Sequence, residues 1–404
     1  MLRWVGGLYD RPWLCAWPFG RAVFARCVYH WCNGDWDPGA TSATGKFDIY
    51  LNGTLIQSLG CLTPGSLTCD DFIPPGGSLD PATDSLYSII LNTRTNGNSA
   101  YDVYWSKIMA STREEYYDAA SLAPTAIIGG DVLLGTYVDR RGLDWDGQKA
   151  AWLHVVGGNA SFNDGNGRVS SNLGGAQFGL DLVQLGDPTT RVGVTAGYGY
   201  LSSVVTMPGG GSAGSSTGQA PSVGGYITHA DGTFYADLLG QYRFLNFDVA
   251  APTSTGKVSG GSIDVAAEAG ANIALSDAFT LTPFGQLVYQ HVMLNSTSLG
   301  GLATSFGNSD ALIGRVRLLA QMKAAGITGF ASAGVSGDLL GPKQTVVAGT
   351  TFTSTIGGPR AELTAGIESG MPGGFNIFGS GEFDMSFDGK SQTYLGRAGV
   401  RNEF

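Results

Sequence analysis

From about residue 148 to the last residue, Phe404, the chain repeats one unit: a segment of alternating apolar and polar residues, then a turn rich in Gly, Asp, Asn and Ser. Twelve such units can be counted. Thr233–Phe244 puts Phe234, Ala236, Leu238, Gly240, Tyr242 and Phe244 on one face and Asp237, Gln241 and Arg243 on the other. Ser262–Leu275 sets Ile263, Val265, Ala267, Ala269, Ala271 and Ile273 against Asp264, Glu268 and Asn272. The last segment sets Tyr394, Gly396, Ala398, Val400 and Phe404 against Arg397, Arg401 and Glu403, with Asn402 the exception on the apolar face. A period of two is that of a strand with different surroundings on its two sides. A soluble β-sandwich and a membrane barrel both satisfy it. Three features favour the barrel. The strand count is even. The connections are unequal, with Ala230-Asp231-Gly232 contrasting with the Gly/Ser-rich loop Pro208–Ala220. Small residues are frequent on the apolar face, where lipid tolerates them and a packed core would not.

No uninterrupted apolar run reaches the roughly 18 residues of a membrane-spanning helix. A membrane crossing therefore has to be made by strands closed on themselves, so that every backbone polar group finds a partner. Each strand with its connection takes about 21 residues, which accommodates a span of about 9–11. The expected class is all-β: a 12-stranded antiparallel transmembrane β-barrel over 148–404, with ionised residues of both signs facing a wet lumen.

Charged residues make up 14% of the chain and the net charge is −10, which excludes nucleic acid as a partner. The five cysteines all precede residue 70. A long thiol-free stretch suits passage through an oxidising compartment. Cys61 and Cys69 flank Thr63-Pro64-Gly65 and form either a small disulfide loop or two free thiols. Cys27 and Cys32 lack zinc-finger spacing and a second ligand pair, so no metal and no cofactor is expected.

Residues 1–40 are atypical. Five of the eight tryptophans fall within them, and Asp10 and Arg11 interrupt what would be the apolar stretch of a secretory signal. A misplaced start or a truncated gene product explains this segment. Residues 41–112 read as β-rich, with a strand near Phe47–Ile56, irregular chain over 57–84, and a hairpin of Leu86–Leu91 with Tyr101–Trp105 around Asn96-Gly97-Asn98. Within 113–147, apolar residues of Arg113–Arg141 recur loosely at helical spacing, and Pro124 and Gly129-Gly130 are expected to bend or interrupt the helix. Such a helix either lies on a surface or threads the barrel.

Several motifs together resemble the autotransporter (type V secretion) family over roughly residues 85–404. In the linker, Glu114-Glu115-Tyr116-Tyr117 precedes Ala119–Pro124 and Leu134-Gly135-Thr136-Tyr137-Val138-Asp139-Arg140. In the barrel, Gly175-Ala176-Gln177-Phe178-Gly179-Leu180-Asp181, Glu268-Ala269-Gly270, Pro283-Phe284-Gly285-Gln286-Leu287-Val288-Tyr289-Gln290 and the terminal Ala398–Phe404 fit the family pattern. The resemblance implies a translocator in the outer membrane of a Gram-negative bacterium, carrying its N-terminal segment to the cell surface. Residues 41–112 would be a passenger remnant and 113–147 a linker with a pore helix. Implied partners are outer-membrane lipid, the barrel-assembly machinery and periplasmic chaperones, for a monomeric barrel. Tyr394, Val400 and Phe404 would form the assembly signal. Asp181, Asp237, Glu268, Arg315, Arg317, Glu362, Glu382, Arg397 and Arg401 are expected to face the lumen. Exposed to water there, each ion pair would contribute little. The alternative is an outer-membrane pore or structural barrel without cargo.

No catalytic set emerges. His30, His154, His229 and His291 are scattered, and no Gly-x-Ser-x-Gly elbow is present. Gly209-Gly210-Gly211-Ser212 lacks the Lys of a phosphate loop and reads as a flexible external loop. Some family members cut the linker at an asparagine. Residues 107–141 contain none, so that activity is not carried over, and no enzyme is expected.

Overall fold

The computed structural model describes residues 45–51, 54–61, 87–95, 103–112, 114–143, 148–186, 189–207, 211–251, 254–307, 309–347, 350–371 and 373–404. The atypical stretch 1–40 and Cys69 lie outside them, so the Cys61–Cys69 pairing falls outside the described residues. The chain divides into two units, Met1–Thr112 and Arg113–Phe404. The first contains two separate hairpins, β1 (Gly45–Leu51) with β2 (Thr54–Cys61) and β3 (Tyr87–Thr95) with β4 (Val103–Thr112). Where one strand was expected around Phe47–Ile56 there are two, separated by Asn52-Gly53, a turn dipeptide. Strand β2 runs on into the stretch expected to be irregular.

The second unit opens with two helices, α1 (Glu114–Leu134) and α2 (Tyr137–Arg141). Strands β5 (Ala150–Asn163), β6 (Arg168–Gln184), β7 (Thr190–Thr206), β8 (Ser212–Ala230), β9 (Phe234–Ala251) and β10 (Ser254–Ala271) follow as an antiparallel meander. After the two-residue β11 (Ile273–Ala274) comes β12 (Phe279–Leu294), then a short pair, β13 (Thr297–Leu299) and β14 (Leu302–Phe306). Next are β15 (Asp310–Ala324) and β16 (Ile327–Asp338), a second short pair, β17 (Lys343–Val347) and β18 (Thr350–Ser354), and finally β19 (Arg360–Met371), β20 (Phe375–Ser386) and β21 (Ser391–Glu403).

Twelve of these strands close into a barrel. Pairing runs β10-β9-β8-β7-β6-β5-β21-β20-β19-β16-β15-β12, and β12 returns to β10. At the seam the last strand meets the first from Ser391 opposite Phe162 to Glu403 opposite Ala150. Closure removes the open edges that a sandwich would leave. The strands are longer than a minimal span, up to the 19 residues of β8, so several project beyond the apolar belt. The alternation falls as expected. Tyr394, Val400, Leu238, Tyr242, Phe244, Ile263, Val265 and Leu363 face outward between buried neighbours, and Phe404 and Ile367 are exposed on the same face. Phe178, Phe234, Phe375 and Phe404 lie toward one rim. Tyr242, Phe244, Tyr289, Phe383 and Tyr394 lie toward the other, the arrangement of interfacial aromatics on a membrane barrel. No described helix is long and apolar enough to cross a membrane.

Two expectations are corrected. Ser212–Ala220 is not a flexible loop but part of β8, paired with β7 on one side and β9 on the other. Its small residues are an interior requirement: a Cβ on Gly214 would lie 2.1 Å from the Asp118 carboxylate of α1. Helix α1 is not interrupted either, and runs unbroken through Pro124 and Gly129-Gly130. Its residues are buried on every side, Ala119, Leu122, Ala126 and Ile127 as fully as Asp118, Ser121 and Thr125. Packing by the enclosing barrel offsets the poor helix propensity of Pro and Gly.

The seam yields a test. A Cβ on Gly158 would meet the Tyr394 carbonyl of β21 at 1.9 Å, whereas one on Gly157 finds nothing nearer than 3.9 Å. Gly158→Val should destabilise the closed barrel by at least about 2 kcal/mol, reducing the heat-modifiable folded band in detergent gels, while Gly157→Ala should leave that band unchanged.

Candidate functional site

The barrel encloses a piece of its own chain. Helix α1 ends at Gly135, whose φ of +55° suits glycine, and α2 begins at once. Thr136 and Asp139 form a reciprocal capping box, and Arg140 and Arg141 occupy the last turn. This places two arginines, an acid and a tyrosine near one end of the lumen.

The expected lumen residues are all buried within the barrel, and the structure gathers all but Arg401 into three groups around the helices. In the first, Arg315 bridges Asp131 of α1 at 3.0 Å and Glu362 of β19 at 3.0 Å. Arg317 reaches Glu362 at 2.6 Å and Glu382 at 3.4 Å, and Arg397 contacts Glu382 at 2.7 Å and Asp139 at 3.9 Å. In the second, Arg141 grips Asp181 through both nitrogens, at 3.0 and 2.8 Å, and Tyr226 donates to the same carboxylate at 2.7 Å. Arg140 pairs with Asp237. In the third, Glu268 accepts from the Tyr137 amide at 3.0 Å, the Tyr235 hydroxyl at 2.7 Å and Gln286 at 2.9 Å, while the Tyr137 and Tyr235 rings stack at 5.1 Å. Arg401 pairs with Glu368 at 3.2 Å.

The expectation of weak, water-exposed pairs is therefore corrected. The helices occupy the lumen, so these charges are buried between plug and wall, where breaking one partner is costly. Asp131, Asp139, Arg140 and Arg141 were not among the expected site residues. The Thr-x-x-Asp spacing at Thr136–Asp139 was the available signal for Asp139. Of the histidines, His154 is buried against Gln177 at 3.2 Å, and His291 lies by Asp310 at the rim. Among the described residues no group of His, Cys, Asp and Glu could hold a metal ion.

A second assembly stands at the rim where α1 begins. Strands β13, β14, β17 and β18 form a four-stranded sheet from two long connections. The Phe352 ring lies 3.6 Å from that of Tyr116, and the Tyr116 hydroxyl donates to Asn166 in the β5–β6 turn. Asn166 donates to the Thr353 carbonyl at 3.0 Å, and the Thr355 amide to the Asp164 carbonyl at 2.8 Å. Turn, cap sheet and helix start are thus locked together.

A family model described as "Autotransporter beta-domain" matches residues 151–382, more than half of the chain. The chain belongs to this autotransporter family. The transport unit of the autotransporter AIDA-I from Escherichia coli is similar in structure, with a TM-score of 0.64 and 17% identity, covering 73% of this chain and 100% of that one. The translocator domain of the autotransporter NalP from Neisseria meningitidis is similar too, with a TM-score of 0.59 and 20% identity, over 71% of this chain and 99% of that one. No curated protein matches the sequence. The autotransporter barrel is thus a translocator of the outer membrane, its lipid-facing belt outside and its charged groups around the plug.

Asp164 provides a pH test. It is fully buried, and its Oδ1 accepts from the Asn166 and Gly167 amides at 2.8 Å each. Burial holds this carboxyl above its usual range despite those bonds. The folded mouth therefore binds the proton more tightly than the unfolded chain, and this contribution to stability falls as pH rises from about 4. Protection of residues 350–356 from hydrogen exchange should weaken as pH is raised from there, and Asp164→Asn should flatten the dependence.

Proposed function

We propose that this barrel carries the segment ahead of α1, residues 41–112, across the outer membrane and displays it at the cell surface, with α1 and α2 remaining behind as a plug. The observation that supports this most strongly is topological. An even number of strands puts Ala150 and Phe404 at the same rim. Helix α2 packs at that rim, where Arg401 donates to the Arg141 carbonyl and Glu368 accepts from the Leu143 amide. The start of α1 lies at the opposite rim, beside Asn166 and Phe352. On this reading the segment ahead of α1 passes out at that rim, away from the chain's end. If assembly proceeds from the periplasm, that side is the outside of the cell, and the cap sheet closes over the exit once the segment has passed. The occupied lumen favours this reading over an open solute pore. An epitope inserted between residues 41 and 84 should be reached by antibody on intact cells. Labelling only after the outer membrane is permeabilised would reject the display function.

Tyr394, Val400 and Phe404 project from the closing strand toward lipid, and the Lys149 ammonium lies 5.5 Å from the Phe404 ring centroid. We assign them the role of the signal read by the barrel-assembly machinery, after delivery by periplasmic chaperones. Phe404→Ser, or deletion of the last strand, should reduce the amount of barrel in the outer membrane. Unchanged outer-membrane levels would refute the assignment of Phe404.

A further inference from the structure

Besides the ion pairs, a second set of lumen contacts reaches the plug, and it touches main chain rather than side chain. Arg243 of β9 donates to the Ala126 carbonyl at 3.0 Å, and Gln290 and Gln286 of β12 donate to the carbonyls of Ile127 at 3.1 Å and Gly135 at 2.8 Å. Arg401 donates to the Arg141 carbonyl. In the opposite sense, Glu268 accepts from the Tyr137 amide at 3.0 Å and Glu368 from the Leu143 amide. Five strands contribute, and the contacts are spread from residue 126 to residue 143.

The plug is shaped to permit this approach. A Cβ on Gly130 would lie 2.3 Å from both Arg243 Nη2 and Gln290 Oε1. Arg243 cannot simply swing aside, because Asp264 holds its Nη2 at 3.0 Å and also accepts from its Nε. Gly130 thus opens the helix surface where two barrel side chains reach backbone carbonyls.

We propose that these side chains form a binding track for polypeptide main chain, and that its ligand is the backbone of whatever segment occupies the lumen, in transit as well as at rest. A C=O belongs to every residue and an N–H to every residue except proline, so such a track is indifferent to sequence. The ion pairs at Asp131, Asp139, Arg140 and Arg141 instead identify the final plug. In a narrow lumen a passing chain loses water from its peptide groups, and each one left unpaired raises the barrier. Replaceable donors and acceptors along the wall lower that barrier. This inference deepens the carrier reading above and rests on it.

The experiment uses the full chain with one of two unrelated 30-residue tags, Gly/Ser-rich or acidic, inserted ahead of residue 113, and times the appearance of each at the cell surface. Combining Gln286→Ala with Gln290→Ala should slow both tags by the same factor, about tenfold for the two lost bonds. Slowing of only one tag, or of neither, overturns the track. If the unmutated barrel displays neither tag, the carrier reading fails and the track falls with it. Should the double variant not assemble, a change confined to the plug provides the readout. Position 137 opens α2, where proline fits without breaking the helix, and Thr136 before it is extended. Tyr137→Pro removes the amide that Glu268 accepts. It should expose residues 126–141 to hydrogen exchange about fivefold more than Tyr137→Ala does. Equal exposure in the two variants overturns the track.

Discussion

A peptide group in lipid has no water to bond to, and the rest of this molecule follows from that. Strands can enter the bilayer only if each is paired on both sides, so β21 must find β5 and β12 must find β10. Closing the sheet divides every strand into an outward row and an inward row. The outward row meets hydrocarbon and becomes Leu, Val, Ile, Phe and Ala. The inward row is enclosed, and its Arg, Asp and Glu residues must satisfy one another or something brought in from elsewhere. Helix α1 and the short α2 are what is brought in.

Burial changes what the inward charges do. Exposed pairs along a watery channel would be worth little. Buried around a plug, each charge needs its partner, and the pattern of partners fixes one position of the plug. Arg315 cannot satisfy both Asp131 and Glu362 if the helix slides by one turn. Arg141 meets Asp181 only with α2 at the rim where the sheet begins and ends. Such networks contribute position more than stability. The main-chain contacts from Arg243, Gln286 and Gln290 add holding without reading side chains. At the other mouth the cap sheet is tied to the helix start through Phe352 and Asn166, so the plug is fixed at both ends.

Much of this was legible in the residues alone. The period-two rows in Thr233–Phe244 and Tyr394–Phe404 identify strands and their two sides, because side-chain direction in a strand is set by the backbone. Which acid meets which arginine was not legible, since alternation gives a side and no partner. The helix was readable only loosely. A helix enclosed on all sides has no polar face, and Asp118, Ser121 and Thr125 are as buried as Leu122. Gly129-Gly130 read as a break because composition cannot separate backbone freedom from close approach by Leu201, Arg243 and Gln290. The same confusion made Ser212–Ala220 look like a loop. The cap sheet left no trace, as its strands of three to five residues carry too few alternations to register.

The central claim is a closed cylinder built around its own buried helix. Amide hydrogen exchange on the full chain in lipid nanodiscs tests it most directly. The account predicts that residues 116–134 exchange as slowly as β9 and β21, since helix and wall lose their protection together. Rapid exchange across 116–134 beside fully protected strands would contradict it.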